Sequence, residues 1–287
     1  MGTKEKRCYD GYLVKKVDPV VFLMPYIMPR RTDSEVMVDL KLDLTKVEAF
    51  IREHKAEMPD LTLYHIVFAS IVRAAAVTPQ INRFITGNRL YQRRNVRISM
   101  MVKKRLEVDG KESTIYPTFE KTDTLAEVVA KTKKLADEAF EQLDSESNNF
   151  DKFIGLLYAV PPFILRAVIR FLMWLDRYGK LPKALTKLQP FHSAFFVTNV
   201  GSIGLPVIYH HLYEFGTCSG FASVGKKEVV TTITPKGVIK TKKVLPVTFV
   251  LDGRICDGYT YSCALRTIRK CFEHPEWLLE SYQPECP

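Results

Sequence analysis

Six cysteines, Cys8, Cys218, Cys256, Cys263, Cys271 and Cys286, are scattered through 287 residues, and none falls into the paired spacing of a metal site. Thiols dispersed in this way are expected to stay reduced, which predicts a cytoplasmic protein without a disulfide framework or a bound metal. The opening Met1-Gly2-Thr3-Lys4-Glu5-Lys6-Arg7 is charged, and no apolar core with a cleavage site follows it, so no signal peptide is expected. No uninterrupted run of about 20 apolar residues is present, which argues against a membrane span. The nearest approach is Phe153–Val160 and Phe163–Leu175, but Pro161-Pro162 divides the two pieces and Arg166 and Arg170 interrupt the second. A long tract of one charge is also missing. The net charge of +10 comes from dispersed pairs such as Lys15-Lys16, Arg93-Arg94 and Lys242-Lys243, a pattern that reads as a solvated basic surface and carries no nucleic-acid motif.

Hydrophobic residues at 46% and charged residues at 26% describe an ordinary globular chain, long enough to bury a large core. Strand and helix patterns alternate. Val36-Met37-Val38-Asp39-Leu40-Lys41-Leu42-Asp43 has the two-residue period of a half-buried strand, and Leu44-Thr45-Lys46 leads into a helix ending near His54. Thr62 is a plausible cap for a helix over Tyr64–Ala76, which is apolar on nearly every side, and Pro79 stops it. Leu125–Phe140 reads as an amphipathic helix. Phe153–Leu175 reads as an apolar helical hairpin with Arg166 and Arg170 on one face; packing over a sheet or at a subunit interface is the favoured role, and a helix lying on a membrane surface is the alternative.

Near the C-terminus stands Leu251-Asp252-Gly253-Arg254-Ile255-Cys256-Asp257-Gly258. It resembles the Asp-His-Arg-x-x-Asp-Gly signature of the dihydrolipoyl acyltransferase catalytic domains of 2-oxoacid dehydrogenase complexes, relatives of chloramphenicol acetyltransferase. A second segment, Phe195-Phe196-Val197-Thr198-Asn199-Val200-Gly201-Ser202-Ile203-Gly204, resembles that family's Phe-Thr-Ile-Ser/Thr-Asn-Leu-Gly-x-x-Gly stretch. Shorter matches come in the same order: Val38-Asp39, Pro79-Gln80-Ile81-Asn82, Thr86-Gly87-Asn88, Asn95–Val102, Ile115–Thr118, Ala222–Lys227, Leu245–Leu251 and Glu273–Leu279. Together they extend the resemblance over about residues 20–280.

The resemblance implies a chloramphenicol acetyltransferase-like two-layer α/β fold, with a mixed sheet flanked by helices. It implies a single domain over 1–287, in which about 150–188 is a helical insertion. It also implies acyl transfer between coenzyme A and a second thiol, at a site formed between subunits of a homotrimer. By the same resemblance Thr198 donates to the tetrahedral oxyanion, Asp257 orients the site through an ion pair, and Asp252 and Arg254 preserve local geometry through an ion pair of their own. Gly253 occupies the position of the histidine that takes the proton of the attacking thiol. Glycine cannot accept a proton, so the family reaction is expected to be impaired. Two readings follow: a crippled coenzyme-A-dependent acyltransferase, or a trimeric scaffold or acyl-CoA-binding pseudoenzyme. No Asp-Lys-Ala lipoylation hairpin or Pro/Ala-rich linker is present, so a lipoyl group or other acyl acceptor is expected on another protein.

The histidines that could stand in for the base are His54 and His65 on early helices, His192 six residues before Thr198, and His210-His211 after the glycine turn. The last two, read as strand residues, would point to opposite faces. Cys256 lies inside the signature, but a cysteine at an apolar strand end reads as a small core residue rather than a nucleophile.

Overall fold

The computed structural model describes residues 7–8, 10–103, 112–144, 160–182, 185–186, 190–233 and 237–283. In chain order the elements are β1 Arg7–Cys8, β2 Gly11–Leu13, α1 Pro19–Ile27, β3 Glu35–Asp43, α2 Thr45–Glu53, α3 Leu63–Val77, β4 Arg83–Thr86, β5 Arg89–Arg93, β6 Val96–Lys103, β7 Glu112–Ile115 and β8 Thr118–Phe119. There follow α4 Leu125–Asp144, α5 Pro162–Arg177, β9 Phe195–Asn199, β10 Gly220–Val224, β11 Glu228–Ile233, β12 Ile239–Asp252 and α6 Gly258–Glu273.

The helices begin where local chemistry allows. Asp43 accepts the Thr45 N–H at 2.9 Å at the head of α2, and Thr62 forms a reciprocal capping box with His65 at the head of α3. Eight strands make one mixed sheet in the order β11-β12-β10-β9-β6-β7, with β3 also paired to β12 and β8 to β6. β9 runs parallel to both β6 and β10, while the pairs made by β12 are antiparallel. A smaller antiparallel sheet, β1-β2-β5-β4, stands beside it.

Alternation along the strands sorts the core into two layers. Phe195, Val197, Ala222, Val224, Val247, Phe249 and Leu251 face Phe50, Ile66, Phe68, Val128, Ala264, Ile268 and Phe272 from the helices. Phe196, Phe221 and Val250 point the other way and are covered by Leu212 and Cys218. The apolar reading of α3 fits this placement, since its residues from His65 to Ala76 are buried except Arg73.

The insertion does not take the place over the sheet that was one of its two expected roles. Its first limb, Phe153–Val160, lies outside the described residues except for Val160. Its second limb is α5, and that helix does not pack its apolar side chains over the sheet: Phe163, Phe171 and Trp174 remain 73%, 58% and 50% exposed. Pro162 at the first turn has no N–H to satisfy, so the proline pair that divides the hairpin also starts the helix.

Arg93 fastens the small sheet to the large one. It is 1% exposed, pairs with Asp10 at 2.6 Å and donates to the carbonyls of Ser193 at 2.9 Å and Thr217 at 2.6 Å. Replacing Arg93 with alanine strands those buried acceptors, so urea unfolding of Arg93→Ala is expected to report a loss of about 3 kcal/mol; a loss no larger than that of an ordinary surface substitution would contradict the assignment.

Candidate functional site

The segment resembling the acyltransferase signature begins at the end of β12 and runs into α6. Asp252 is 1% exposed. Its carboxylate accepts from the Arg254 Nε at 2.8 Å and Nη2 at 2.8 Å, from the Arg254 N–H at 3.1 Å and from the Ser34 hydroxyl at 3.0 Å. Arg31 approaches the same carboxylate at 3.9 Å and donates to the carbonyls of Tyr213 and Glu214 at 2.6 and 3.1 Å. Arg254 reaches back to the Met28 carbonyl at 3.1 Å, and the Tyr261 hydroxyl donates to the Asp252 carbonyl at 2.7 Å. The local Asp252–Arg254 ion pair is therefore present, and around it converge four stretches of chain: the exit from α1, the turn before β3, the loop before β10 and the first turns of α6.

This network presses the turn at Ser34 onto Gly253. The Gly253 N–H donates to the Ser34 carbonyl at 2.8 Å, and a Cβ at Gly253 would lie 2.8 Å from that same oxygen and 3.1 Å from Val36 Cγ2. Position 253 thus has no room for a side chain unless the backbone at Ser34 moves.

Asp257 stands at the head of α6. It is exposed and caps α6, accepting the Thr260 N–H at 2.7 Å and the Thr260 hydroxyl at 3.1 Å. The N–H of Thr260, led by that backbone bond, holds the carboxyl below its usual range. A carboxylate at a helix start needs no arginine, because the unpaired N–H groups there already favour negative charge.

Thr198 is half-buried near the end of β9. It lies opposite Ser223 on β10, which lies opposite Thr248 on β12, forming a row of hydroxyls on one sheet face. The Thr248 hydroxyl donates to the Ile208 carbonyl, and the Ser223 oxygen accepts the Ile208 N–H at 3.4 Å. Beyond this row Gly201 comes so near the Gly225 carbonyl that a Cβ would collide, and Gly204 adopts φ 78°. Gly253 follows Thr248 by five residues on a strand two places from β9. By strand geometry that separation is about 17 Å along the sheet and about 10 Å across it. One chain therefore holds Thr198 and Gly253 apart, near opposite ends of the sheet.

The other candidate bases are taken up elsewhere. His54 contacts the Phe50 carbonyl at 3.0 Å, and burial pushes His65, part of the α3 cap, down to about 4. His210 and His211 lie in an irregular segment rather than on a strand: His210 stacks on Phe221 with ring centres 4.3 Å apart, and His211 meets Glu35 at 2.9 Å. Burial pushes the Cys256 thiol up to about 12, which leaves it protonated and inert at neutral pH. His192 is 1% exposed and binds Asp176 of α5 at 2.8 Å, and Asp176 also accepts the Gly216 N–H at 2.7 Å. Sequence patterns did not single out Asp176 or Ser34; the available signal for Asp176 was a lone acid in an otherwise apolar and arginine-bearing helix. Among the described residues no cluster of side chains is arranged to hold a metal ion.

No family model matches the sequence, and no curated protein does. Solved structures do match in fold. The architecture is that of the chloramphenicol acetyltransferase-like proteins, a mixed sheet flanked by helices. Particular neighbours are a probable dihydrolipoamide acetyltransferase from Listeria monocytogenes 4b F2365, at 16% identity and TM-score 0.57 over 91% of this chain and 94% of that one; the cubic core of the pyruvate dehydrogenase multienzyme complex, at 15%, 0.58, 93% and 94%; and chloramphenicol acetyltransferase, at 10%, 0.52, 88% and 92%. At these identities the likeness is one of fold.

Two outcomes follow from this packing. Gly253→Ala is expected to cost about 1–3 kcal/mol in denaturant unfolding, as overpacking against fixed backbone does; an unchanged midpoint would show that Ser34 gives way freely. Burial opposes the charge on Asp176, but the bond from His192, the charge of that ring, the Gly216 N–H and Arg31 outweigh it and hold the carboxyl below its usual range. Since the folded-state value is lower than the unfolded one, the carboxylate's contribution is complete above about pH 4 and is lost as pH falls through the lowered value. Asp176→Asn should flatten that part of the acid-unfolding profile, and an unaltered profile would contradict the argument.

Proposed function

We propose that this chain is a coenzyme-A-dependent acyltransferase homologue whose transfer step is impaired at Gly253. In such a reaction a thiol attacks the carbonyl of a thioester, and a base must take the thiol proton as the new bond forms. The reading is supported by the fold shared with a dihydrolipoamide acetyltransferase and chloramphenicol acetyltransferase, and by Thr198 at a strand end where its hydroxyl can serve an oxyanion. Asp257 would then shape the site through the start of α6, and coenzyme A would be a substrate rather than a resident cofactor. The acyl acceptor would be a lipoyl-bearing or other thiol protein in the cytoplasm.

The separation of Thr198 from Gly253 supports a homotrimer. Neighbouring copies can bring the β9 end of one chain to the β12 end of the next, which a single chain cannot do for itself. Neither a nucleic acid nor a metal enters this account.

A specific observation favours a second reading, a trimeric scaffold or acyl-CoA-binding pseudoenzyme. Ser34 is packed on Gly253 so closely that a side chain at this position would meet its backbone carbonyl unless that turn moves. This observation supports the reading that position 253 accepts no proton in this protein.

Calorimetric titration with coenzyme A and acetyl-CoA, combined with thiol release using dihydrolipoamide as acceptor, tests the proposal. Binding is expected, with turnover about 10²–10⁴ below that of an acyltransferase possessing its base, and sedimentation is expected to give a trimer. Binding with no turnover at all would select the pseudoenzyme. Full-rate turnover would overturn the impairment, and absence of binding would remove coenzyme A from the function.

A further inference from the structure

Helix α5 is held by its C-terminal end. Thr86 donates to the carbonyls of Asp176 at 2.9 Å and Arg177 at 3.0 Å, and the Asp176 side chain is buried against His192 and Gly216. Toward the body the helix presents Leu165, Leu172 and Leu175, all half-buried, beside Asp176. At about 100° per residue, Phe163, Ile164, Val168, Phe171 and Trp174 span an arc of about 140° that overlaps the body-facing residues only at Leu175. Their exposures are 73%, 41%, 43%, 58% and 50%. Arg166, Arg170 and Arg177 fall within about 40° of one another along the outer border of that arc. The Phe171 and Trp174 rings stack at 6.1 Å, and Tyr178 continues the series 5.3 Å from Trp174.

Charge decides what kind of surface fits. Asp176, the single acid of α5, is buried, so no carboxylate on the helix opposes an anionic surface. A second copy docked two-fold, α5 on α5, would bring the same three arginines together within a chain of net charge +10, and a heterologous contact of the proposed trimer would have to set carboxylates opposite them. An anionic lipid surface meets both requirements: it takes apolar and aromatic side chains at the depth of the headgroups, and arginines at the rim reach its phosphates. A second apolar helix stands on the same small sheet. It is α1, which contacts β5 and exposes Val20, Phe22, Tyr26 and Ile27 by 58%, 55%, 56% and 68%. Lys15-Lys16 precede it and Arg30 follows it. Among the described residues no helix is long and apolar enough to cross a membrane, so the contact is one of lying on the surface.

We propose that α5 is a peripheral membrane-docking helix that lays the flank from Phe163 to Trp174 into an anionic lipid bilayer, with Arg166, Arg170 and Arg177 on the lipid phosphates. The proposal is independent of catalysis.

The test uses the full chain carrying Trp277→Phe, which leaves Trp174 as the sole tryptophan of the two. The protein is mixed with vesicles of phosphatidylcholine alone and of equal parts phosphatidylcholine and phosphatidylglycerol, and both co-sedimentation and tryptophan emission are followed. Sedimentation with the anionic vesicles, a blue shift of Trp174 and weakening by added salt are expected. Phe171→Glu should abolish binding. Arg166→Gln and Arg170→Gln should each weaken it about fivefold, and all three exposed positions should leave the circular dichroism and thermal midpoint unchanged. Failure to sediment with anionic vesicles, or binding that is indifferent to all three substitutions, overturns the proposal. So does a change of oligomeric state in Phe171→Glu without vesicle binding, which would assign the flank to contact between copies.

Discussion

The buried carboxylate of Asp252 is the group around which the rest of this end of the molecule is arranged. A charge 1% exposed has to be matched on the spot, and it is matched by two arginines and a serine drawn from different parts of the chain. Because those partners come from the turn before β3 and the start of the α6 segment, satisfying Asp252 also determines where Ser34 lies. Ser34 then closes the space at Gly253 with its carbonyl. The tightness of the backbone at this point depends on the residue there, since a glycine is what permits the approach.

A second constraint comes from the sheet. The register of β9, β10 and β12 puts Thr198, Ser223 and Thr248 in a row and leaves Gly253 five residues further along β12. Residues of the two resembling segments are thus separated by the length of the strands that carry them. Helix α5 obeys a similar logic. Among the described residues its hydrogen-bonded attachments to the body lie at its C-terminal end, through Thr86, His192 and Gly216, while its apolar flank remains exposed.

Much of the fold was legible before the structure. The two-residue period of Val36–Asp43 became β3, the all-round apolarity of Tyr64–Ala76 became α3, packed against α6, α4 and β6, and Thr62 capped it. These features were readable because they depend on neighbours one to four residues apart. The His210-His211 pair was misread as strand, since tertiary contacts with Phe221 and Glu35, rather than strand pairing, hold that segment. The cap that Asp257 gives α6 was not read from the sequence, because an aspartate in the signature looks the same whether it meets an arginine or the first turn of a helix; Thr260, three residues on, was the local clue.

By itself the sequence determined the α/β alternation, the Asp252–Arg254 pairing across two residues and the absence of a proton acceptor at position 253, all properties of adjacent residues and their side-chain chemistry. Tertiary structure alone decided that the Ser34 carbonyl fills the space beside Gly253, that Asp176 joins His192 from a distant helix, and that Thr198 lies far from Gly253 within one chain. Those outcomes depend on strand register and on where long-range partners satisfy buried charge, quantities that no local pattern encodes.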